Sequence, residues 1–322
     1  VPQGTHPPNL KIRPYHFWGC IVMKSETKKH KSRIRNGLWA TFFIGPHSVL
    51  FISFFLFPVI YGIYASFTKW SLFNDPIWTG LANYRELLFD KNSIFHDQLV
   101  NGLSATLIFV VFTVPLCIIV PLILAAMLQT QQKFKKIFQA VFYIPSMFAV
   151  SAVMLIFAFL LSRSYGPFTE WFNFDLNVTQ TQPYAWLALI LVTVWWCIGQ
   201  NLIIYIAALG GVSQEEIDAA RIDGASNFRI LRQIQLPSIQ LPMLFTVITT
   251  TVLQFNVYGQ PLMLTNGGPN DSTKVLLMSI QQNAFGSGVP VAGMASAMAT
   301  ILGLVIILVS AVELIILKLC QR

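Results

Sequence analysis

Long apolar runs alternate with short polar stretches along this chain. The runs fall at about 38–68, 99–129, 138–161, 184–210, 238–263 and 290–318. Each exceeds the roughly 20 residues that a helix needs to cross a hydrocarbon core. The pattern predicts an all-α polytopic membrane protein with six transmembrane helices. Prolines stand within or at the ends of these runs, at Pro46, Pro58, Pro115, Pro121, Pro145, Pro242 and Pro261. A spanning helix tolerates proline where neighbours satisfy the freed carbonyl groups, so kinked helices are expected.

Composition strengthens the membrane reading. Of 322 residues, 55% are hydrophobic and 11% charged, against about 25% charged in an ordinary soluble domain. The net charge of +8 is not gathered into a patch for nucleic acid. Its cations flank the apolar runs. With the N-terminus inside, segments 1–37, 130–137, 211–237 and 318–322 hold 16 of the 21 Lys and Arg. The outside segments 69–98, 162–183 and 264–289 hold five, Lys69, Arg85, Lys91, Arg163 and Lys274. This split predicts both termini in the cytoplasm. Trp39, Trp70, Trp78, Trp171 and Trp186 fall near predicted boundaries, where interfacial anchors sit.

The predicted domain division is a cytoplasmic tail at 1–37, a transmembrane domain at 38–318 with a cytoplasmic loop at 211–237, and a cytoplasmic end at 319–322. The tail carries KSETKKHKSRIR (24–35), and its first 20 residues suit a short amphipathic helix or a disordered segment. It does not read as a signal peptide, because the run behind it is too long and lacks a small-residue cleavage site. Cys20, Cys117, Cys197 and Cys320 show no metal spacing. They read as packing residues, with neither a zinc site nor a disulfide framework.

The stretch EEIDAARIDGASNFRILRQIQLP (215–237) breaks the pattern, with seven charges in 23 positions. DAARI and FRILRQI have helical composition, and GAS between them offers a break or a close approach. Two short helices are expected, with Pro237 near the start of the fifth run. A plain amphipathic connector is the structural alternative.

Asp218-Ala219-Ala220, three residues, Gly224, nine residues and Ile234-Gln235-Leu236-Pro237 closely resemble the EAA motif of binding-protein-dependent ABC importer permeases. The spacing is intact, and Asp218 stands where that family usually has glutamate. A second stretch, VYGQPLMLTNGGPNDSTKVLLMSIQQNAF (257–285) followed by GMASAMATIL (293–302), is similar to the carbohydrate-uptake branch. With FPVIYGIYASFTKW (57–70) and NYRELLFD (83–90), the resemblance covers most of 38–318.

The resemblance implies the ABC importer permease fold and a subunit for sugar or oligosaccharide uptake. It implies partners: a second homologous permease forming a heterodimer, two cytoplasmic ATPase subunits, and a periplasmic or lipid-anchored solute-binding protein. It makes the loop a coupling element, with Asp218, Ala219, Ala220, Arg221, Asp223, Gly224, Ala225 and Arg229 at the ATPase. The alanines suit close packing, and Asp223 is expected to cap or pair at the turn. The chain has no G-x-x-x-x-G-K-[ST] run. ATP and Mg are therefore expected on the partner ATPase, with no cofactor, metal or catalytic residue in this chain.

Polar residues inside spans are the candidates for the solute pathway. WWCIGQN supplies Trp195, Gln200 and Asn201, and LQFNVYGQP supplies Gln254, Asn256, Tyr258 and Gln260. Amides and hydroxyls match sugar hydroxyl groups, and aromatic faces cover a sugar ring. Amides in spans also serve simply to join helices. The fourth and fifth runs hold no charge, which favours a neutral saccharide. The alternatives are an ABC permease for an amino acid, peptide or glycerol phosphate, a secondary transporter with its own ion site, or a membrane scaffold.

Overall fold

The computed structural model describes residues 42–130, 135–164, 166–172, 177–286 and 288–320. The expected N-terminal tail, its amphipathic helix and Trp39 lie outside the described residues. The chain divides into two units, 1–61 and 62–322. In the first, the described residues form most of helix α1 (Phe42–Ser66), which finishes in the second. Aromatic side chains stack along it, with Phe51 and Phe55 ring centroids 5.0 Å apart.

The second unit is mostly helical. Its elements are β1 (Thr68–Lys69), β2 (Ile77–Trp78), α2 (Ala82–Phe89), α3 (Ile94–Thr130), α4 (Lys135–Met147), α5 (Val150–Leu160), α6 (Pro167–Phe172) and α7 (Tyr184–Gly210). Then follow α8 (Gln214–Ile222), α9 (Asn227–Ser238), α10 (Gln240–Phe255), α11 (Gly259–Leu264), α12 (Leu276–Phe285) and α13 (Ala292–Cys320). Among the described residues, the expected all-α class is corrected only by the small antiparallel pair β1–β2, where Thr68 faces Trp78 and Lys69 faces Ile77. Gly293 at the start of α13 donates its N–H to Trp70 O at 3.2 Å, closing this hairpin onto α13.

Among the described residues, α1, α3, α7 and α13 are each long and apolar enough to cross a membrane. Two further runs are broken. Helices α4 and α5 meet at 93°, and α9 and α10 meet at 75°. Counting each bent pair as one span gives up to six. The fifth apolar run is therefore not one helix: α10 stops at Phe255, and α11 begins only after Asn256–Tyr258. The breaks do not follow the prolines simply. Pro115 and Pro121 both lie inside the unbroken α3.

Helix α7 is the centre of the packing, against α3 on one side and α4 on another. Gly199 makes the α4 contact possible, because a Cβ there would lie 2.8 Å from Tyr143 Cα. Tyr205, Leu202 and Leu189 of α7 are fully buried with Phe109 and Cys117 of α3. A second core joins Leu99 and Val110 of α3 to Phe255, Leu276, Ala297 and Met298. Here Gly102 of α3 lets α12 approach, since a Cβ would sit 2.8 Å from Leu276 Cα. Thr106 Oγ1 accepts the Leu276 N–H at 3.0 Å, so α3 caps the start of α12.

The NGGP stretch forms a compact corner. Asn266, Gly267, Asn270 and Asp271 all have positive φ. The Thr265 and Thr273 hydroxyls meet at 2.7 Å. Gln180 Nε2 donates to Thr265 O at 3.1 Å, and Gln182 Nε2 to Ser272 Oγ at 2.7 Å, binding the segment before α7 to this corner.

Candidate functional site

The loop between α7 and α10 folds as two short helices, as its composition predicts. Ser213 Oγ accepts the Glu216 N–H and opens α8. Glu215 and Glu216 lie in the first turn and Arg221 in the last, which complements the helix dipole at both ends. Helix α8 ends in a Schellman turn. Ala225 N donates to Ala220 O at 2.9 Å, and Gly224 N to Arg221 O at 3.0 Å. Gly224 sits at φ +76° with no atom within 4 Å of a Cβ placed there. Its requirement is the left-handed backbone, not the close approach that small residues also suggested.

Asp223, expected to cap or pair at the turn, stands there as the C-cap residue of α8. It is the first residue of the turn out of α8, and Ser226 caps α9, its Oγ accepting the Arg229 N–H at 3.3 Å. The Ser226 hydroxyl lies one residue before α9, where the free N–H groups point. Arg229 Nε donates to Gln233 Oε1 at 2.9 Å along α9. Asp218 is held within its own helix, accepting from Gln214 Nε2 at 3.0 Å and from the Arg221 guanidinium at 3.1 Å. Gln235 Nε2 donates to Gln129 Oε1 at 2.9 Å and ties α9 to the end of α3.

Helix α8 has two distinct faces. Ile217 is buried and turns inward with Gln214 and Arg221, whereas Glu215, Asp218, Ala219 and Ile222 are exposed on the next arc. Ile222 is 87% exposed and Phe228, on α9, 71%. These two apolar side chains were not among the residues the sequence singled out. Ile222 could have been found, because it lies three positions after Ala219 and so shares its face.

The polar residues of the fourth and fifth runs divide. Asn201 is buried, with Nδ2 donating to Cys117 O at 2.8 Å and to Thr250 Oγ1 at 3.0 Å. Gln254 is buried on α10, its Nε2 3.7 Å from Cys197 Sγ of α7. Both amides thus lie between helices. Gln200 is exposed, and Trp195 is 43% exposed with its ring edge-on to Phe157 at 5.4 Å. Asn256 is exposed and bonded to Val252 O of its own helix at 2.7 Å. Tyr258 and Gln260 are half-buried, Tyr258 against the core around α7. One acidic group escaped notice. Glu313 of α13 accepts from Thr251 Oγ1 of α10 at 2.7 Å.

Comparison with known proteins extends this geometry. The chain is 30% identical over 285 residues to the probable starch degradation products transport system permease protein AmyD of Thermoanaerobacterium thermosulfurigenes, covering 87% of this chain and 94% of that one. It is 27% identical to the multiple sugar-binding transport system permease protein MsmF of Streptococcus mutans, covering 88% of this chain and 96% of that one. Its fold matches a chain in the crystal structure of a bacterial alginate ABC transporter in complex with an alginate pentasaccharide-bound periplasmic protein. The TM-score is 0.75 at 17% identity, with 91% of this chain and 98% of that chain covered. Residues 93–321 match the family model for the binding-protein-dependent transport system inner membrane component. That match spans well over half of the chain, and the protein therefore belongs to this family.

Proposed function

We propose that this chain is one permease subunit of an ATP-driven, solute-binding-protein-dependent importer for a sugar or oligosaccharide. The observation that carries the reading is the exposed α8–turn–α9 surface, placed at the ends of membrane-length helices. In this reading both termini and the 211–237 loop face the cytoplasm. The transmembrane domain is 38–318 with six spans in a bacterial inner membrane, the third formed by the bent pair α4–α5 and the fifth beginning at α10, past the 75° bend that follows α9. The tail 1–37 and the end 319–322 lie on the ATPase side.

The exposed arc of Asp218, Ala219 and Ile222 docks on one of two cytoplasmic ATPase subunits, which hold ATP and Mg. Ala219 allows close approach, and Ile222 and Phe228 supply the apolar area that favours burial. Asp223, Arg229 and the turn at Gly224 and Ala225 border this contact, and Arg221 holds Asp218 in position. A push on α8 reaches α3 through Gln235–Gln129 and α10 through the 75° joint after α9. A second, homologous permease completes the passage, and a solute-binding protein delivers the saccharide to the opposite face. Gln200, Trp195, Asn256, Tyr258 and Gln260 line the passage, with Asn201 and Gln254 fixing the helices behind them. The starch-degradation-product and multiple-sugar names of the relatives support the substrate class.

The test is reconstitution of this chain with its partner permease, ATPase and solute-binding protein in vesicles. Uptake of a labelled oligosaccharide that requires ATP and all four components is the expected result. Uptake driven by an ion gradient without the ATPase would overturn the reading. Uptake of glycerol phosphate or an amino acid in place of the saccharide would overturn the substrate class alone.

A further inference from the structure

A cavity of about 500 Å³ lies behind α8, between the ends of α3 and α7 and the start of α9. It faces the inward arc of α8, through Gln214, Ile217 and Arg221, and shares Phe228 with the exposed surface that carries Ala219 and Ile222. Two cations line it, Lys135 and Arg221, and no Asp or Glu does among the described residues. Lys135 has no ion-pair partner among the described residues. Asp218 takes only one contact from Arg221, at 3.1 Å, and a guanidinium carries five N–H donors. Amide side chains, Gln214 and Asn227 among them, add further donors. On the α3 side the wall is Ala126 and the 61% exposed Met127, with Gln129 beside them already bonded to Gln235.

We infer that this cavity binds the phosphodiester headgroup of an anionic phospholipid, with Lys135 and Arg221 on the phosphate and an acyl chain leaving along Met127. The inference rests on the proposed cytoplasmic placement of this end of the helices. The recognising chemistry is that of a phosphate: a point cation and a planar guanidinium fork, which keeps donors beyond its one contact to Asp218. Basic pockets between helix ends on the cytoplasmic side suit such headgroups. The apolar part of that wall, continuous with a membrane-length helix, favours a lipid over a free phosphate. A headgroup there stands under the docking helix and braces α8 against α3.

The test uses the whole importer carrying this chain, exchanged into nanodiscs of phosphatidylcholine with a minor fraction of phosphatidylglycerol. Lipid that stays bound after detergent extraction is counted by native mass spectrometry. The wild type retains phosphatidylglycerol in preference. Lys135→Gln removes a cation. Asn227→Asp adds an anion at a helix start where aspartate is well tolerated. In each variant the preference falls about fivefold, the factor that ~1 kcal/mol per basic contact corresponds to. Equal retention of the two lipids by the wild type, or an unchanged preference in both variants, overturns the inference. Excess orthophosphate leaves the lipid in place. Displacement by orthophosphate, or orthophosphate binding without lipid preference, overturns the lipid in favour of a soluble anion. Copurification of the ATPase is scored on the same samples. Lost lipid preference with the ATPase present removes only this inference, and an ATPase that never copurifies removes the proposed function.

Discussion

The Asn201 side chain on α7 donates to the Cys117 carbonyl on α3 at 2.8 Å. Cys117 lies four residues before Pro121, which has no N–H to give it. The proline leaves an acceptor bare in the middle of a long apolar helix, and the neighbouring helix supplies the missing donor. The second N–H of the same amide reaches Thr250 Oγ1 at 3.0 Å, which brings in α10. One side chain therefore repairs the break and joins three helices.

Asn201→Leu strands both partners. Leaving a buried acceptor unpaired costs about 1–3 kcal/mol in soluble proteins, while interhelical bonds in membranes average nearer ~0.6 kcal/mol. A lowered melting temperature is expected. Pro121→Ala restores an N–H to Cys117 O, so the double variant loses less than the two single losses combined. Strictly additive losses in a thermal melt would refute the link between Pro121 and Asn201.

Gln200 stands one position away and behaves differently. It is exposed, so Gln200→Ala leaves the melting temperature unchanged. If the residue lines the passage, KM for uptake shifts. An unaltered KM, with the importer fully assembled, removes Gln200 from the pathway.

Gly224 is held at φ +76° in open surroundings. Backbone preference, not bulk, therefore decides which residues serve there. Gly224→Val loses about 1–2 kcal/mol from the turn, whereas Gly224→Asn is tolerated better. ATPase copurification and hydrolysis stimulated by the loaded solute-binding protein should fall in that order. Equal loss with Asn and Val points to a steric fit instead.

Ile222 is 87% exposed on the outward arc of α8. Ile222→Glu is expected to weaken ATPase association by at least tenfold, the effect of losing roughly 1.4 kcal/mol, with an unchanged melting temperature for this chain alone. Full association of the variant moves the docking surface away from this arc.

Glycines in the spans are not equivalent. A Cβ at Gly102 meets Leu276 Cα at 2.8 Å, while one at Gly303 meets nothing within 4 Å. Gly102→Val drives α3 and α12 apart, so folded protein in the membrane fraction is largely lost. Gly303→Ala is accepted, because alanine is the better helix former. Yields of folded protein by size exclusion give the comparison.

The sequence alone carried the helical class, the membrane character and the existence of the 211–237 loop. Each depends on local features: runs longer than a bilayer, cations at their ends, and a motif whose spacing lies within 20 successive residues, 218–237. The turn at Gly224 was legible for the same reason, since a Schellman turn is closed by its own neighbours. Tertiary structure decided what is not local. The apolar run around Phe148 and Ala149 reads as continuous, yet the chain bends 93° there. Asn201 and Gln200 are adjacent and chemically alike, yet one is buried at a carbonyl exposed by a proline 80 positions earlier and the other is open. Burial and hydrogen-bond partnership depend on which helix lies alongside, and hydropathy records only that some apolar neighbour is needed, not which one.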